Sequence, residues 1–524
     1  MELHMKAEII IIGASTGGVA AALAASKMGK RVILTEETDW IGGQLTSQAV
    51  PPDENIWIEQ FGCTASYRRF RNGVRDYYLR HFPVKAEARR ALAFNPGNAT
   101  VSKISHEPRA AHAVLRDMLA PYVHSGRLTI LEHCKAVKAE ADGDDITSVT
   151  LSHLLTGDEI VLTGQYFLDA TEEGDLLPMA NVEYVTGAES AAETGEPHAL
   201  PGAADPSDMQ AITWCFAIDH IEGEDFTISR PAQYDFWRNY RADFWPDMQL
   251  SWTGLVPHTL EPNPYSFFPD GKKFSLWQYR RLIDHTQFEP GAFESDLTVV
   301  NWPQNDYWLG PIIDVSPEER AKHLLNAREL SLSLLYWMQT EAERPDGKAG
   351  YPGLRLRGDV VGTIDGLAKM PYIRESRRIK AEFTVLEQHL SPDCRSDGKA
   401  VRYEDSVGIG SYRIDLHPST ALRTYVDVSS LPFHIPLGAL IPVRMNNLLA
   451  ACKNIGTTHI TNGCYRLHPV EWNIGEAAGY LAAYCAANGL SPKAVRGDAE
   501  QLEQFQKLLI AEGIELDWPH THSV

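Results

Sequence analysis

The segment from Ile9 to Glu37, IIIIGASTGGVAAALAASKMGKRVILTEE, gathers glycine, serine and alanine between two apolar runs. Gly13 stands where a tight turn leaves the first run, Ser15 and Gly17 follow, and Gly18 is small enough for a helix to press against a sheet. The first turn of such a helix offers free N–H groups and a positive dipole end to a phosphate. Glu36, closing the second run, is a carboxylate that accepts hydrogen bonds from two ribose hydroxyls and repels a 2′-phosphate. The set predicts dinucleotide binding through an adenosine that lacks this phosphate. Ser15 replaces the middle glycine of the Gly-x-Gly-x-x-Gly pattern, and its hydroxyl can itself donate to phosphate. Two further groups have side chains suited to chemistry. His417 in YRIDLHPS, His459 in GTTHITNG and His468 in RLHPVEW offer imidazole bases for work near neutral pH. Arg374, Arg377 and Arg378 in IRESRRI offer guanidinium forks for a carboxylate; at helical spacing they equally suit a salt-bridged face with Glu375 and Glu382.

These residues need elements to hold them. Ile9 to Ile12 and Val32 to Leu34 read as strands buried on both faces, and the small residues Gly18, Ala22, Ala25 and Gly29 line one face of the helix between them, giving a βαβ unit. A helix is expected from His106 to His124, then strands in LTILEH, KAVKAEA, ITSVTLSH and IVLTG, with a hairpin turn at TGDE. A buried strand from Tyr166 to Ala170 delivers Thr171, Gly174 and Asp175 to the sheet edge where ligands sit. From Gly187 the chain turns Pro-, Gly- and aromatic-rich, with Trp214, Trp237, Trp245, Trp252, Trp277, Trp302 and Trp308, and a long helix is expected from Pro317 to Glu343 behind the cap Ser316. Small residues return after the strand Leu448 to Ala451, in a helix starting near Glu471 or Asn473. The predicted fold is α/β: a Rossmann-like dinucleotide-binding domain in two parts (1–187 and 435–490), an α+β substrate domain inserted at 188–434, and a C-terminal helical segment and tail at 491–524.

Composition sets bounds. The chain has 524 residues, enough for more than one core, and 69 acidic against 48 basic residues give a net charge of −21. No basic run interleaved with aromatics tracks a phosphate backbone, so nucleic acid and anionic membranes are poor partners. No apolar stretch approaches a membrane span, and MELHMK runs directly into the first strand, so a cytoplasmic location is expected. Seven scattered cysteines (Cys63, Cys134, Cys215, Cys394, Cys452, Cys464, Cys485), with no Cys-x-x-Cys pair, indicate reduced thiols and no redox-active dithiol. No metal-ligand spacing stands out, and the terminal PHTHSV reads as a frayed tail.

Five motifs in order resemble one family: GASTGGVAAALAASKMGKRVILTEE, WIGGQ, LDATEEGDL, MPYIRESRRI and THITNGCYRLHPVEWNIGEAAGYLAA are similar to those of the FAD-dependent oxidoreductases of the glutathione-reductase-like superfamily. The resemblance implies FAD as cofactor. It implies that Gly13, Ser15, Gly17 and Gly18 hold the pyrophosphate, Glu36 the adenosine ribose, and Gly42, Gly43 and Gln44 the span toward the flavin. Val137 would meet the adenine through its backbone, Ala170 and Thr171 would border the adenosine half, and Asn473, Ile474 and Gly475 would face the flavin O2 edge. GIGSYR at Gly408 to Arg413 lacks a third glycine and a following small-residue helix, so no separate NAD(P)H domain is expected.

Oxidation of an alcohol or amine by a flavin requires loss of a hydride and a proton, so a positioned base is expected. His459 and His417 rank first, one at the expected flavin loop and one on the substrate side. The leading expectation is a dehydrogenase or oxidase acting on a polar small molecule, with a sugar or polyol hydroxyl suggested by the aromatic segment. Oxygen, a quinone or a protein carrier would then reoxidise the flavin, and a homo-oligomer is left open. The alternatives are a reductase of an activated alkene, with Arg374 or Arg377 as proton donor, and a protein that binds FAD without redox turnover.

Overall fold

The computed structural model describes residues 3–519. The chain begins with β1 (Leu3–Lys6), β2 (Ile9–Ile12), α1 (Thr16–Lys27) and β3 (Val32–Thr35). It continues through α2 (Pro108–His124), β4 (Leu128–Leu131), β5 (Cys134–Asp142), β6 (Asp145–His153), β7 (Glu159–Thr163) and β8 (Tyr166–Asp169). The middle of the chain supplies β9 (Phe216–His220), β10 (Arg281–Ile283), β11 (Leu297–Val300), α3 (Pro317–Thr340) and β12 (Leu354–Leu356). Then follow β13 (Ser406–Gly410), β14 (Ile414–Leu416), β15 (Phe433–Pro436), β16 (Leu448–Ala450), α4 (His459–Tyr465) and α5 (His468–Asn488).

The central sheet is parallel, in the order β16-β8-β2-β3-β4, so residues 448–450 complete a sheet begun at residue 9. Its β-branched strands are buried on both faces, as the uninterrupted apolar runs require. Helices α1 and α5 lie together across this sheet with backbones nearly touching: a Cβ on Gly475 would come within 1.9 Å of the Gly17 carbonyl oxygen, and one on Gly479 within 2.4 Å of that of Ala21. A second sheet, β1-β7-β6-β5, pairs β1 parallel to β7. An antiparallel sheet, β10-β11-β9-β12, carries the middle segment, and β13 pairs antiparallel with β15.

Most expected elements are present, and the departures have identifiable causes. Residues 3–6 form a strand where only a lead-in was expected, because β7 offers them an edge. The long helix ends at Thr340, not Glu343, since Glu341 has left the helical region. Helix α5 starts at His468, before the expected Glu471 or Asn473, with Pro469 in its first turn. IRESRRI is extended and not helical: Arg378 and Ile379 pair with Val185 and Tyr184, and each guanidinium is drawn to a different carboxylate. Among the described residues, no helix is long and apolar enough to cross a membrane.

Candidate active site

The end of β2 leads into a backbone cradle. Gly13 has φ of +93°, and a Cβ there would lie 2.4 Å from the Ala170 carbonyl oxygen; one on Gly18 would lie 2.1 Å from that of Gly13. Ser15 caps α1, its Oγ accepting from the Gly18 N–H at 3.1 Å. The turn at Gly42 and Gly43 passes over the cap so closely that a Cβ on Gly43 would stand 2.9 Å from Ser15 Cα. A cleft runs along this edge, lined by Gly13, Ser15, Glu36, Gly43, Ala170 and Thr171. Glu36 Oε1 accepts from the Thr38 N–H (2.9 Å) and hydroxyl (2.7 Å), and Oε2 is bonded to none of the described residues. Burial raises the Glu36 carboxyl to about 7 despite those bonds.

Carboxylates crowd the inner end of the cleft. Glu471 Oε1 accepts from the Gly17 N–H at 3.1 Å, and buried Lys453 lies between Glu471 (3.4 Å) and Glu172. Burial opposes ionisation of Glu471, but Lys453, the Gly17 N–H and Gln44 outweigh it and hold its carboxyl below the ordinary range. Glu172 goes the other way: burial, with Glu471 nearby, raises its carboxyl despite Lys453.

Beyond the cradle, Gln44 donates to the Arg466 carbonyl oxygen at 2.9 Å, and the Asp53 N–H donates to His468 Nδ1 at 3.0 Å, closing the segment from Gly42 to Asp53 onto the start of α5. Against this seam lies a cavity of about 460 Å³. Arg280 in its wall pairs with Asp53 (3.2 Å), and Asp415 pairs with Arg466 (3.2 Å). His417 lines it as well. Its Nδ1 is 2.6 Å from Oδ2 of Asp306, a buried carboxylate that also takes Arg374 (3.1 Å) and the Thr213 hydroxyl. Burial would push the Asp306 carboxyl up, but Arg374 and His417 hold it below the usual range. Asp306 accepts from Nδ1, and Nε2 stands 3.7 Å from Oδ2 of Asp415, which lines the cavity together with His417.

The family model described as FAD dependent oxidoreductase matches residues 8–509. The chain belongs to the FAD dependent oxidoreductase family. This oxidoreductase is therefore an FAD enzyme, and a search of curated proteins finds no match to it. Among solved structures it is similar to L-proline dehydrogenase from P. horikoshii, at 13% identity over 36% of this chain and 24% of that one, with a TM-score of 0.18. It is similar to a geranylgeranyl bacteriochlorophyll reductase-like protein from Thermoplasma acidophilum at 10% identity over 98% and 85%, TM-score 0.33. It is similar to a variant of E. coli quinol fumarate reductase FrdA at 11% identity over 96% and 74%, TM-score 0.34. The oxidoreductase thus spans about a quarter of the length of the proline dehydrogenase.

The cradle fits FAD: the glycine contacts leave no room for a Cβ where backbone must approach a phosphate, and Glu36 keeps one oxygen for a ribose. Not every residue expected at the FAD site of this oxidoreductase faces the cleft. Val137 sits at a bulge of β5 with an exposed side chain, while its neighbours Cys134 and Ala136 line the cleft. Asn473 donates to the Val407 carbonyl oxygen, and Gly475 packs on Gly17. Ile474 is fully buried in the core.

The structure separates the catalytic candidates. His459 does not line the cavity: its Nδ1 meets Glu375 at 2.9 Å and its Nε2 accepts from Arg423 at 3.2 Å, so both nitrogens are engaged. Arg377 reaches Asp314 and Asp175, and Asp175 lines the cradle cleft and not the cavity that holds His417. Arg374 does not line the cavity; it meets Asp306 at 3.1 Å and donates to Oδ1 of Asn301, a lining residue, at 3.4 Å. Gly408 and Gly410 lie in an antiparallel strand, with Gly408 against the Asn473 amide. Two groups, Glu172/Cys452/Glu471 and Asp284/His285/Asp296, bring three potential metal-ligating atoms together, but Lys453 enters the first and Arg281 the second. His520 and His522 of PHTHSV lie outside the described residues. Asp306 and Asp53 escaped sequence reasoning altogether. Asp415 carried a usable signal, since Asp415 and His417 are two apart on an extended segment and so share a face.

Proposed function

We propose that this FAD oxidoreductase removes a hydride and a proton from a polar small-molecule donor, with His417 as the base. The observation that carries the reading is His417 on the cavity wall, its Nδ1 held by buried Asp306 behind it and its Nε2 3.7 Å from Asp415 on the same wall. FAD, when bound, supplies the two-electron acceptor. Asp306 fixes the imidazole tautomer and stabilises the imidazolium that forms as Nε2 takes the donor's hydroxyl proton. Arg374 and Thr213 hold Asp306 in turn. The seam between Asp53 and His468 brings the cavity against the cofactor segment. In this reading residues 188–434 serve as a substrate-side domain inserted in a glutathione-reductase-type FAD domain, and electrons leave to oxygen, a quinone or a protein carrier.

The test is anaerobic flavin reduction by a panel of polar donors, followed by absorbance in the wild type and in His417→Asn. The variant is expected to keep its FAD and to reduce it about 10²–10⁴-fold more slowly. Reduction at the wild-type rate would remove His417 from the chemistry.

A further inference from the structure

One buried histidine takes no part in the proposed proton transfer. His459 opens α4, is 2% exposed and stands between two neighbours of opposite charge. Its Nδ1 lies 2.9 and 3.0 Å from the two oxygens of buried Glu375, and its Nε2 lies 3.2 Å from the Arg423 guanidinium. A guanidinium only donates and an ionised carboxylate only accepts, so the neutral imidazole with its proton on Nδ1 satisfies both. Both partners lead to the segment that carries His417.

On one side, Glu375 accepts from the Gln210 N–H (3.0 Å), and the Gln210 side-chain oxygen accepts from the His417 N–H (3.4 Å). The chain around Gln210 lies along residues 418–420: the Ala211 N–H donates to the Pro418 carbonyl oxygen (2.9 Å) and the Thr420 N–H to that of Met209 (2.8 Å). On the other side, Arg423 closes the same turn, its carbonyl oxygen accepting from the Ser419 N–H (3.0 Å), while its guanidinium reaches His459 and pairs with Asp208. The turn joins β14 to its partner strand at 426–428, so it places both His417 and Tyr425, whose rings lie 5.7 Å apart. One imidazole therefore ties both ends of the turn to the buried interior.

Protonation reverses one of these ties. An imidazolium has no lone pair, so its Nε2–H would face the guanidinium at 3.2 Å, cation against cation. His459 cannot move away, because Glu375 holds it more firmly when it is charged and Glu189 accepts its backbone N–H at 2.8 Å. Arg423 can, since its side chain is 30% exposed and keeps Asp208 as a partner. The other charged groups around the pair are Arg378, bonded to Glu375 and Glu189, and Glu196, which accepts from the Thr458 hydroxyl at 2.7 Å. Each already has its own partner, so the Arg423 contact is the one that breaks.

We infer that His459 is a positioning residue for His417: neutral, it anchors the turn from His417 to Tyr425 through Glu375 and Arg423, and on protonation it expels Arg423 and loosens the turn. The inference rests on the reading of His417 as the base, and it adds a second histidine that must be neutral for that base to stand in place.

The test uses FAD-loaded wild type, His459→Gln and Arg423→Ala. Glutamine offers an N–H to Glu375 and an oxygen to Arg423 and does not titrate, while the change at Arg423 removes the anchor from its partly exposed side. Hydrogen exchange of peptides covering residues 411–430, corrected for the intrinsic pH dependence of exchange, reads the turn without any donor. Protection in wild type is expected to fall between about pH 8 and about pH 5, to stay level in His459→Gln, and to be low throughout in Arg423→Ala. Anaerobic flavin reduction, by the member of the polar-donor panel that bleaches wild type, reads the base. At about pH 8, His459→Gln should reduce its flavin at close to the wild-type rate and Arg423→Ala about tenfold more slowly. On the acid side wild type should lose more than about tenfold in rate per pH unit, the limit for one proton, and His459→Gln should stay within that limit. If His459→Gln fails to fold, the wild-type pH dependence and Arg423→Ala decide alone. The inference is overturned if protection of the turn in wild type does not change with pH, if Arg423→Ala leaves it intact, or if His459→Gln keeps the wild-type pH dependence. The expected exchange pattern together with unimpaired flavin reduction in His417→Asn leaves the anchor standing and removes the base reading. Slow reduction in His417→Asn with no such exchange pattern does the reverse.

Discussion

The cradle between β2 and α1 and the cavity around His417 are built on opposite principles. In the cradle the working atoms belong to the backbone, brought together by residues that lack side chains: Gly13 against Ala170, Gly43 against Ser15, Gly475 against Gly17. Around the cavity they belong to charged side chains: Arg280, Asp415 and His417 on its wall, with Asp53, Asp306, Arg374 and Arg466 paired to them or to one another behind it. Backbone recognition ties cofactor binding to the integrity of the sheet, because no atom can be added without moving a main chain. Side-chain recognition leaves the fold free while the chemistry changes. A substitution at a cradle glycine should therefore cost fold and cofactor together, whereas one among the side chains around the cavity should cost rate first.

The largest expected effect is Gly475→Ala. Its Cβ would stand 1.9 Å from the Gly17 carbonyl oxygen, so α5 must separate from α1. The expected loss is about 3 kcal/mol or more of stability, with FAD lost on purification, measured by thermal melting and by flavin absorbance. A variant that retains FAD and melts like wild type would break the contrast.

Next comes Asp306→Asn. An amide cannot fix the proton on Nδ1 and can donate to it instead, which moves the ring proton to Nε2 and removes the base. Flavin reduction is expected to slow about 10²-fold or more, with the acid limb of its pH profile altered and FAD content unchanged. Loss of FAD in this variant would show that Asp306 supports the fold and does not only position His417.

The same contrast explains what the sequence disclosed. The cradle was legible because its signals are local: apolar runs for β2 and β3, glycines in one turn and an acid closing the unit; the capping of α1 by Ser15 was not read from the sequence. Strand β1 was not, since LHMK has no apolar run and becomes a strand only on meeting the edge of β7. The early start of α5 was signalled by Pro469, which suits a first helical turn. The cavity was mostly illegible because its pairs join residues far apart, such as Asp306 with His417 and Asp53 with Arg280. No spacing rule reaches such distances, and a count of histidines could not separate His417 in the cavity from His459, whose two nitrogens are taken by Glu375 and Arg423.

A third expectation sharpens the cradle through pH. In the cofactor-free protein the Glu36 carboxyl is raised to about 7 by burial, and in the ribose role proposed for it hydroxyls donate more strongly to its ionised form. Binding therefore expels a proton below pH 7. FAD affinity should rise with pH by up to tenfold per unit below 7 and level off above it. Asp175 on the same cleft is also raised to about 7 by burial, so Glu36→Gln isolates the term: its affinity should be weaker at pH 8 and flatter between pH 5 and 7 than that of wild type, in titrations followed by flavin fluorescence.

The smallest effect separates the two carboxylates at the inner end of the cleft. Glu471 is fixed by the Gly17 N–H and Gln44, so its charge belongs to the packing of α5 on α1. Glu172 has no such framework: one oxygen meets Lys453 and the other, Oε1, is buried without a partner, at the position a Cβ on Gly43 would strike. A carboxylate there stands beside the helix start proposed to receive a pyrophosphate, and like charges in a buried place repel. Glu172→Gln removes that charge and frees Lys453 to face the phosphate. It is expected to tighten FAD binding about tenfold, or ~1.4 kcal/mol, with the gain falling as salt screens the phosphate. Glu471→Gln should instead weaken FAD and lower the melting temperature, because it loosens a contact between the two helices. If both substitutions act alike, the distinction between a carboxylate that builds the cradle and one that only competes in it is wrong.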